Sequence, residues 1–221
     1  MRIAFLLSSA LLTVGLVACS SLPSAPAQPA RYDFGVTPEV VAAAGSQRAA
    51  AFPVLALADI QARTQNENST SVLYRLGYAD GQALHSYAHA RWSQPPALLV
   101  QQRLREILGQ SRAVLSAEGG NQPPLVQGKL VPVLQLSLEE FVHHFADAQN
   151  STALVRVRAT LVQPQRGGDV LLGQQVFAVR EPAAAPNAAA GTRALAQAID
   201  KVGGQMQQWL QQLPPPDRSV R

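Results

Sequence analysis

Residues 85–92, HSYAHARW, place two histidines, a tyrosine, an arginine and a tryptophan within eight positions, and a second histidine pair follows at His143-His144. Imidazoles this close could ligate a metal or relay protons, so the first question is whether they can reach a common point. Read as a strand, Ala83 to Trp92 sets His85, Tyr87, His89 and Arg91 on one face and Leu84, Ser86, Ala88, Ala90 and Trp92 on the other. Four strand steps separate His85 from His89 by ~13 Å, too far to share an ion whose nitrogen ligands sit at ~2.1 Å. His143 and His144 are adjacent, so a strand points them to opposite faces. No HExxH, CxxC or Asp/Glu cluster supports either pair. The expectation is no metal, no cofactor and a polar sheet face that meets a partner.

Nucleophiles and phosphate loops give no stronger signal. There is no GxSxG, and Gly119-Gly120-Asn121 and Gly167-Gly168-Asp169 lack the GxxxxGK[ST] and GxGxxG spacings, so they read as turns. Nothing singles out a carboxylate pair among the 14 acidic residues. No catalytic residue is expected, and the chain is not read as an enzyme. Tyr87, His89, Arg91 and Trp92 are the candidates for partner binding, because tryptophans at interfaces are typical anchors. For Trp92 the competing reading is a plug at the corner between a strand and the helix opened by Pro95-Pro96.

The single cysteine has a different role. Met1-Arg2 supplies one positive charge, Ile3 to Val17 is mostly apolar, and the run ends in Leu16-Val17-Ala18-Cys19. A basic start, an apolar stretch and small residues before a cleavage point make a signal peptide over residues 1–18. Fifteen residues fall short of the ~20 that span a bilayer as a helix. LVAC resembles the bacterial lipobox, which implies acylation of Cys19 and anchoring to a membrane face. Several acyl chains hold firmly, each buried methylene adding ~0.8 kcal/mol. Ser20, rather than aspartate, follows Cys19; by resemblance to lipoprotein sorting this implies the outer membrane over retention at the inner one. With one cysteine, no intrachain disulfide can form.

Removing residues 1–18 leaves 203 residues, enough for one substantial domain. Charged residues are 14% of the chain and aromatics 5%, and the net charge of +4 comes without a run of Lys/Arg. Nucleic acid is therefore excluded as the main partner. Residues 20–30, SSLPSAPAQPA, are uncharged and Pro-rich, which makes 19–30 an acylated tether reaching at most ~35 Å. The folded domain is expected over 31–213, with 214–221 as a tail.

The elements that would position these residues follow from periodicity. Ala51–Ile60 reads as an edge strand with Pro53 near its start. Ser71–Tyr78 and Ala83–Trp92 read as a hairpin turning at Ala79-Asp80-Gly81-Gln82. Further strands are expected at 112–117, 125–145, 153–163 and 170–180, the last two joined by a loop over 164–169. In Val155–Leu161 the odd positions are apolar. Leu134, Leu136 and Leu138 share one parity and Phe141, His143 and Phe145 the other, which calls for a bulge near Glu139-Glu140; a helical turn from Leu138 is the alternative. Ser93 is placed as the cap of a helix whose inner face holds Ala97, Val100, Leu104, Ile107 and Leu108. A second helix carries Leu195, Ile199, Val202, Met206, Trp209 and Leu213, with a bend or a close helix contact at Gly203-Gly204. The predicted class is α+β: a single domain with a mostly antiparallel or mixed sheet covered by two main helices.

Taken in order, the lipobox, the tether, Tyr32-Asp33-Phe34-Gly35, Trp92-x-x-Pro95-Pro96 before Leu98-Leu99 and Leu104, Leu136-x-Leu138-x-x-Phe141-x-x-x-Phe145, and Ala194-Leu195 with Trp209 resemble the ABC-type transport auxiliary lipoproteins of the PqiC/YmbA kind. Phe34 stands where a leucine is expected. The resemblance implies a periplasm-facing lipoprotein that works with an MCE-domain (mammalian cell entry) substrate-binding protein and an ABC permease/ATPase complex, moving lipids or other apolar molecules between membranes. Oligomeric state stays open, a homo-oligomer included. Two alternatives from other classes stand beside it: a lipoprotein that carries a lipid itself, and an activator of an envelope enzyme.

Overall fold

The computed structural model describes residues 28–35, 52–63, 68–117 and 124–213. In chain order these form β1 (Ala30–Tyr32), β2 (Leu55–Leu57), β3 (Gln61–Ala62), β4 (Ser71–Leu76), β5 (Asp80–Trp92), α1 (Pro96–Gly109), β6 (Val114–Ser116), β7 (Leu125–Val126), β8 (Lys129–Leu130), β9 (Val133–Phe145), β10 (Ser151–Gln163), β11 (Val170–Pro182) and α2 (Ala188–Gln212). Cys19, the signal segment, most of the tether, the Gly119-Gly120-Asn121 turn and residues 214–221 lie outside the described residues. No helix among the described residues is long and apolar enough to cross a membrane.

The strands β9, β10 and β11 carry the sheet. In β10 every odd residue from Ser151 to Leu161 is buried, while the even ones through Thr160 are exposed or half-buried, as the alternation demands. Against it, β9 keeps Leu134, Leu136 and Leu138 on the buried face, then moves Phe141, His143 and Phe145 onto that same face. The register slips between Arg156, opposite Glu140, and Val157, opposite Leu138. Glu139 is thus the extra residue, and the bulge is where the parity change required it. Its carboxylate is held by Arg156 at 3.0 Å and Arg158 at 2.6 Å on the outer face.

The sheet has nine strands: six follow the path β1-β5-β4-β9-β10-β11, β2 and β3 join β4 in meeting the other side of β9 in succession, and β6 lies beyond β2. It is mixed: β2, β3 and β4 run parallel to β9, and β1 runs parallel to β5. The α+β class with two helices stands. Three local expectations are corrected. The 51–60 strand is only Leu55–Leu57, and it is flanked by β6 and β9 rather than lying at an edge. The β4–β5 hairpin turns at Gly77–Ala79, and Asp80-Gly81 already belong to β5. The Asp80 carboxylate accepts from the Gln82 and Ala83 amides instead. Ser93 does not cap α1; Pro95 is the N-cap and Pro96 the first helical residue, while the Ser93 amide donates to the Tyr32 carbonyl.

Both helices lie on the buried face. Asn187 caps α2 by accepting from the Ala190 amide at 2.9 Å. Leu195, Ile199, Val202 and Met206 are essentially solvent-free, and each such side chain contributes about 1.5–3 kcal/mol on burial. The expectation at Gly203-Gly204 resolves into a close contact: a Cβ on Gly203 would lie 2.5 Å from Ile107 Cδ1, so α1 and α2 touch there. Arg103 of α1 then bridges outward, with Nε 2.9 Å from Asp200 of α2 and Nη2 donating to the Phe34 carbonyl at 2.8 Å.

Candidate functional site

The residues singled out at 85–92 sit on a long irregular strand. From Ser71 opposite Arg91 to Leu73 opposite Ser86, two steps along β4 correspond to five along β5. Extra residues of β5 therefore bulge out between Tyr87 and Ala90, and the bulge reverses the parity of everything after it. Tyr87 and Trp92, expected on opposite faces, end on the same one: Tyr87 contacts His143 and Trp92 contacts Phe141, and those two β9 residues share a face.

The bulge separates the four candidates in role. Trp92 is 1% exposed, with its ring edge-on to Phe34 at 5.5 Å and tilted against Phe141 at 5.5 Å. The corner-plug reading holds for it, and its ring is closed to a partner. Arg91 turns back on its own strand, where Nη1 donates to the carbonyls of Tyr87 at 2.5 Å and Ala90 at 2.7 Å. It thereby satisfies backbone groups that the bulge frees from the ladder. His89 lies in the bulge and is exposed. Tyr87 is half-buried, and its hydroxyl hydrogen-bonds His143 Nδ1 at 2.8 Å.

Around that bond lies a ring cluster that connects three strands. Tyr74 of β4 stacks on His85 of β5 at 5.2 Å and packs on Tyr87 at 4.6 Å; Phe145 of β9 packs on His143 at 4.5 Å. Gly191 of α2 closes the top, since a Cβ there would fall 2.3 Å from His143 Nδ1. His143 has no solvent exposure. Burial, helped by the neighbouring His144, pushes its imidazole down to about 4, and burial with Tyr74 nearby pushes the Tyr87 phenol above its ordinary range. Burial thus favours the neutral form of both groups, and their hydrogen bond ties β5 to β9. Sequence reasoning did not pair them. They are 56 residues apart, and their meeting depends on the Glu139 bulge in β9 and on the order β5-β4-β9. Among the described residues, no group of three or more His, Cys, Asp or Glu lies together.

What β5 leaves open is its outer edge. β1 pairs only with Ala90, Arg91 and Trp92. Before Ala90, no strand among the described residues pairs with that side of β5, and residues 84–86, 88 and 89 are exposed. An unpaired edge is a ready template for another chain unless bulges and charges blunt it. The short strand β1, which begins at Ala30, borders this open stretch.

A family model described as "ABC-type transport auxiliary lipoprotein component" matches residues 32–207. Three of the residues on which the resemblance rested, Phe34, Trp92 and Phe141, form one ring cluster. Among solved structures, the chain is similar to a Xanthomonas campestris protein of family DUF330, at 17% identity over 84% of this chain and 88% of that one, with a TM-score of 0.58. It is also similar to an uncharacterized protein at 11% identity, over 83% of this chain and 99% of that one, with a TM-score of 0.59. These likenesses establish the fold. No curated protein matches the sequence.

Proposed function

The chain belongs to the family of ABC-type transport auxiliary lipoprotein components, and from that premise we propose that it is a non-catalytic adaptor, acylated on Cys19 and anchored to the periplasmic face of the outer membrane. Residues 1–18 are the cleaved signal peptide, 19–30 the acylated tether, 31–213 the working domain and 214–221 a tail. Its partners are an MCE-domain substrate-binding protein and the permease/ATPase complex of an ABC system that moves lipid between the inner and outer membranes.

One observation carries the docking reading. The open edge of β5 before Ala90 lies beside β1, which begins at Ala30, and a tether over 19–30 would lead to that edge. A partner strand added there would use main-chain hydrogen bonds for affinity and the exposed side chain of His89 for selection. The anchor would present that edge within the tether's ~35 Å of the bilayer.

The experiment is photo-crosslinking in intact envelopes, with the crosslinking residue at His89 or, on the opposite edge strand, at Leu171. The adaptor reading expects an MCE-domain protein or its transporter captured from His89, little from Leu171, and a loss when Cys19→Ala removes the anchor. Capture of a cell-wall enzyme alone, or equal capture from both edges, would sink it.

A further inference from the structure

The second feature of the molecule lies at the other end of β10, eight residues from where Ala153 faces His143. There Phe52, Leu55, Leu161, Leu172 and Leu210 line, together with Arg112 and Gln211, a half-open pocket of about 220 Å3. Engineered apolar cavities of ~150 Å3 stay dry and take up benzene, so this space suits an apolar group larger than one ring.

Arg112 does not belong in an apolar wall. The residue is 7% exposed, and its Nε and Nη2 are buried without a hydrogen-bond partner among the described residues. The ion pairs of the described residues involve Arg103, Arg156, Arg158 and Lys201, not Arg112. Its side chain donates to none of the α1 carbonyls, although its own amide bonds the Leu108 carbonyl. The Phe52 ring, 5.3 Å from the guanidinium carbon, compensates only in part. Burial lowers the basicity of the guanidinium, yet arginine stays protonated in proteins. A buried cation without a counter-ion among the described residues, beside an apolar pocket, is complementary to an anion that carries an apolar chain.

We propose that this cavity binds an anionic amphiphile, its carboxylate or phosphate head on Arg112 and the first part of its alkyl chain between Leu55, Leu161, Leu172 and Leu210. The buried guanidinium charge, which has no counter-ion among the described residues, favours either anionic head, and apart from Arg112 and Gln211 the lining side chains are apolar. This site goes beyond the adaptor reading and does not depend on it: failure here leaves the β5 edge untouched.

The test labels the mature lipoprotein in neutral detergent with diazirine-bearing octanoate and, in parallel, with the octanol of the same length, and maps the labelled peptides. The site expects octanoate on the peptides holding Phe52–Leu55, Leu172 and Leu210, at about tenfold the level of octanol, the ratio of one buried charge-assisted pair. Octyl phosphate should compete; competition by inorganic phosphate equal to that by octyl phosphate would show a head-group site alone and overturn the amphiphile. Arg112→Gln should reduce octanoate to the octanol level while raising the unfolding midpoint, because an unpartnered buried charge has been removed. Should that variant not fold, Leu172→Trp fills the chamber and must abolish labelling with Arg112 intact. Equal labelling by acid and alcohol, or labelling that survives Leu172→Trp, overturns the proposal. So does a gain in octanoate labelling only after residues 214–221 are removed, since that identifies the chain's own tail as the occupant.

Discussion

The Tyr87 hydroxyl and His143 Nδ1 lie 2.8 Å apart, a hydrogen bond that reaches from β5 across β4 to β9. It holds the irregular strand that forms the open edge onto the strand at the middle of the sheet. His143 Nε2 is already buried without a partner, so this is the one hydrogen bond found for the ring among the described residues.

Tyr87→Phe keeps the ring contacts with Tyr74 and removes the oxygen. It leaves His143 with two unsatisfied buried nitrogens, at a cost of about 1–3 kcal/mol. Urea unfolding should show a lower midpoint with an unchanged slope. An unchanged midpoint would mean that the bond contributes nothing net.

The same imidazole sets an acid limit. Its proton affinity is lowered by burial, to about 4 in the folded chain against an ordinary 6.5. The unfolded chain therefore binds the extra proton between those values, and stability falls as pH drops through that window. Above pH 6.5 both states are neutral and the penalty is absent; below 4 it is complete, at about 3 kcal/mol. Midpoints measured from pH 7 to 4 should slope downward, and His143→Phe should flatten the slope. A slope that survives this substitution assigns the effect to other groups.

Two adjacent glycines should respond with opposite signs. At Gly203 a new Cβ would meet Ile107 Cδ1 at 2.5 Å and its Cβ at 3.3 Å, whereas at Gly204 nothing lies within 4 Å. Gly203→Ala overpacks the helix contact and should cost about 1–3 kcal/mol. Gly204→Ala should stabilise by about 0.5–1 kcal/mol through helix propensity. Thermal melts of the two variants check this directly, and shifts of the same sign would refute the contact.

Periodicity by itself determined the α+β class, both helices and the β10 alternation, because each depends on a local repeat that burial on one face enforces. It also placed the Glu139 bulge: two runs of opposite parity in one strand, Leu134–Leu138 and Phe141–Phe145, cannot share a core otherwise. The family resemblance was likewise legible, because its residues are ordered along the chain. Tertiary structure alone decided what the candidate residues do. Alternation misplaced Trp92 relative to Tyr87 because nothing in YAHARW marks a bulge that only the β4 pairing creates. Tyr87 and His143 meet only through the strand order. Arg112 entered the sequence reading only as the first residue of a strand expected at 112–117, and its isolation arises beside residues of β2, β10, β11 and α2. Burial belongs to the assembled layers, so a charge stranded by it leaves no local pattern to read.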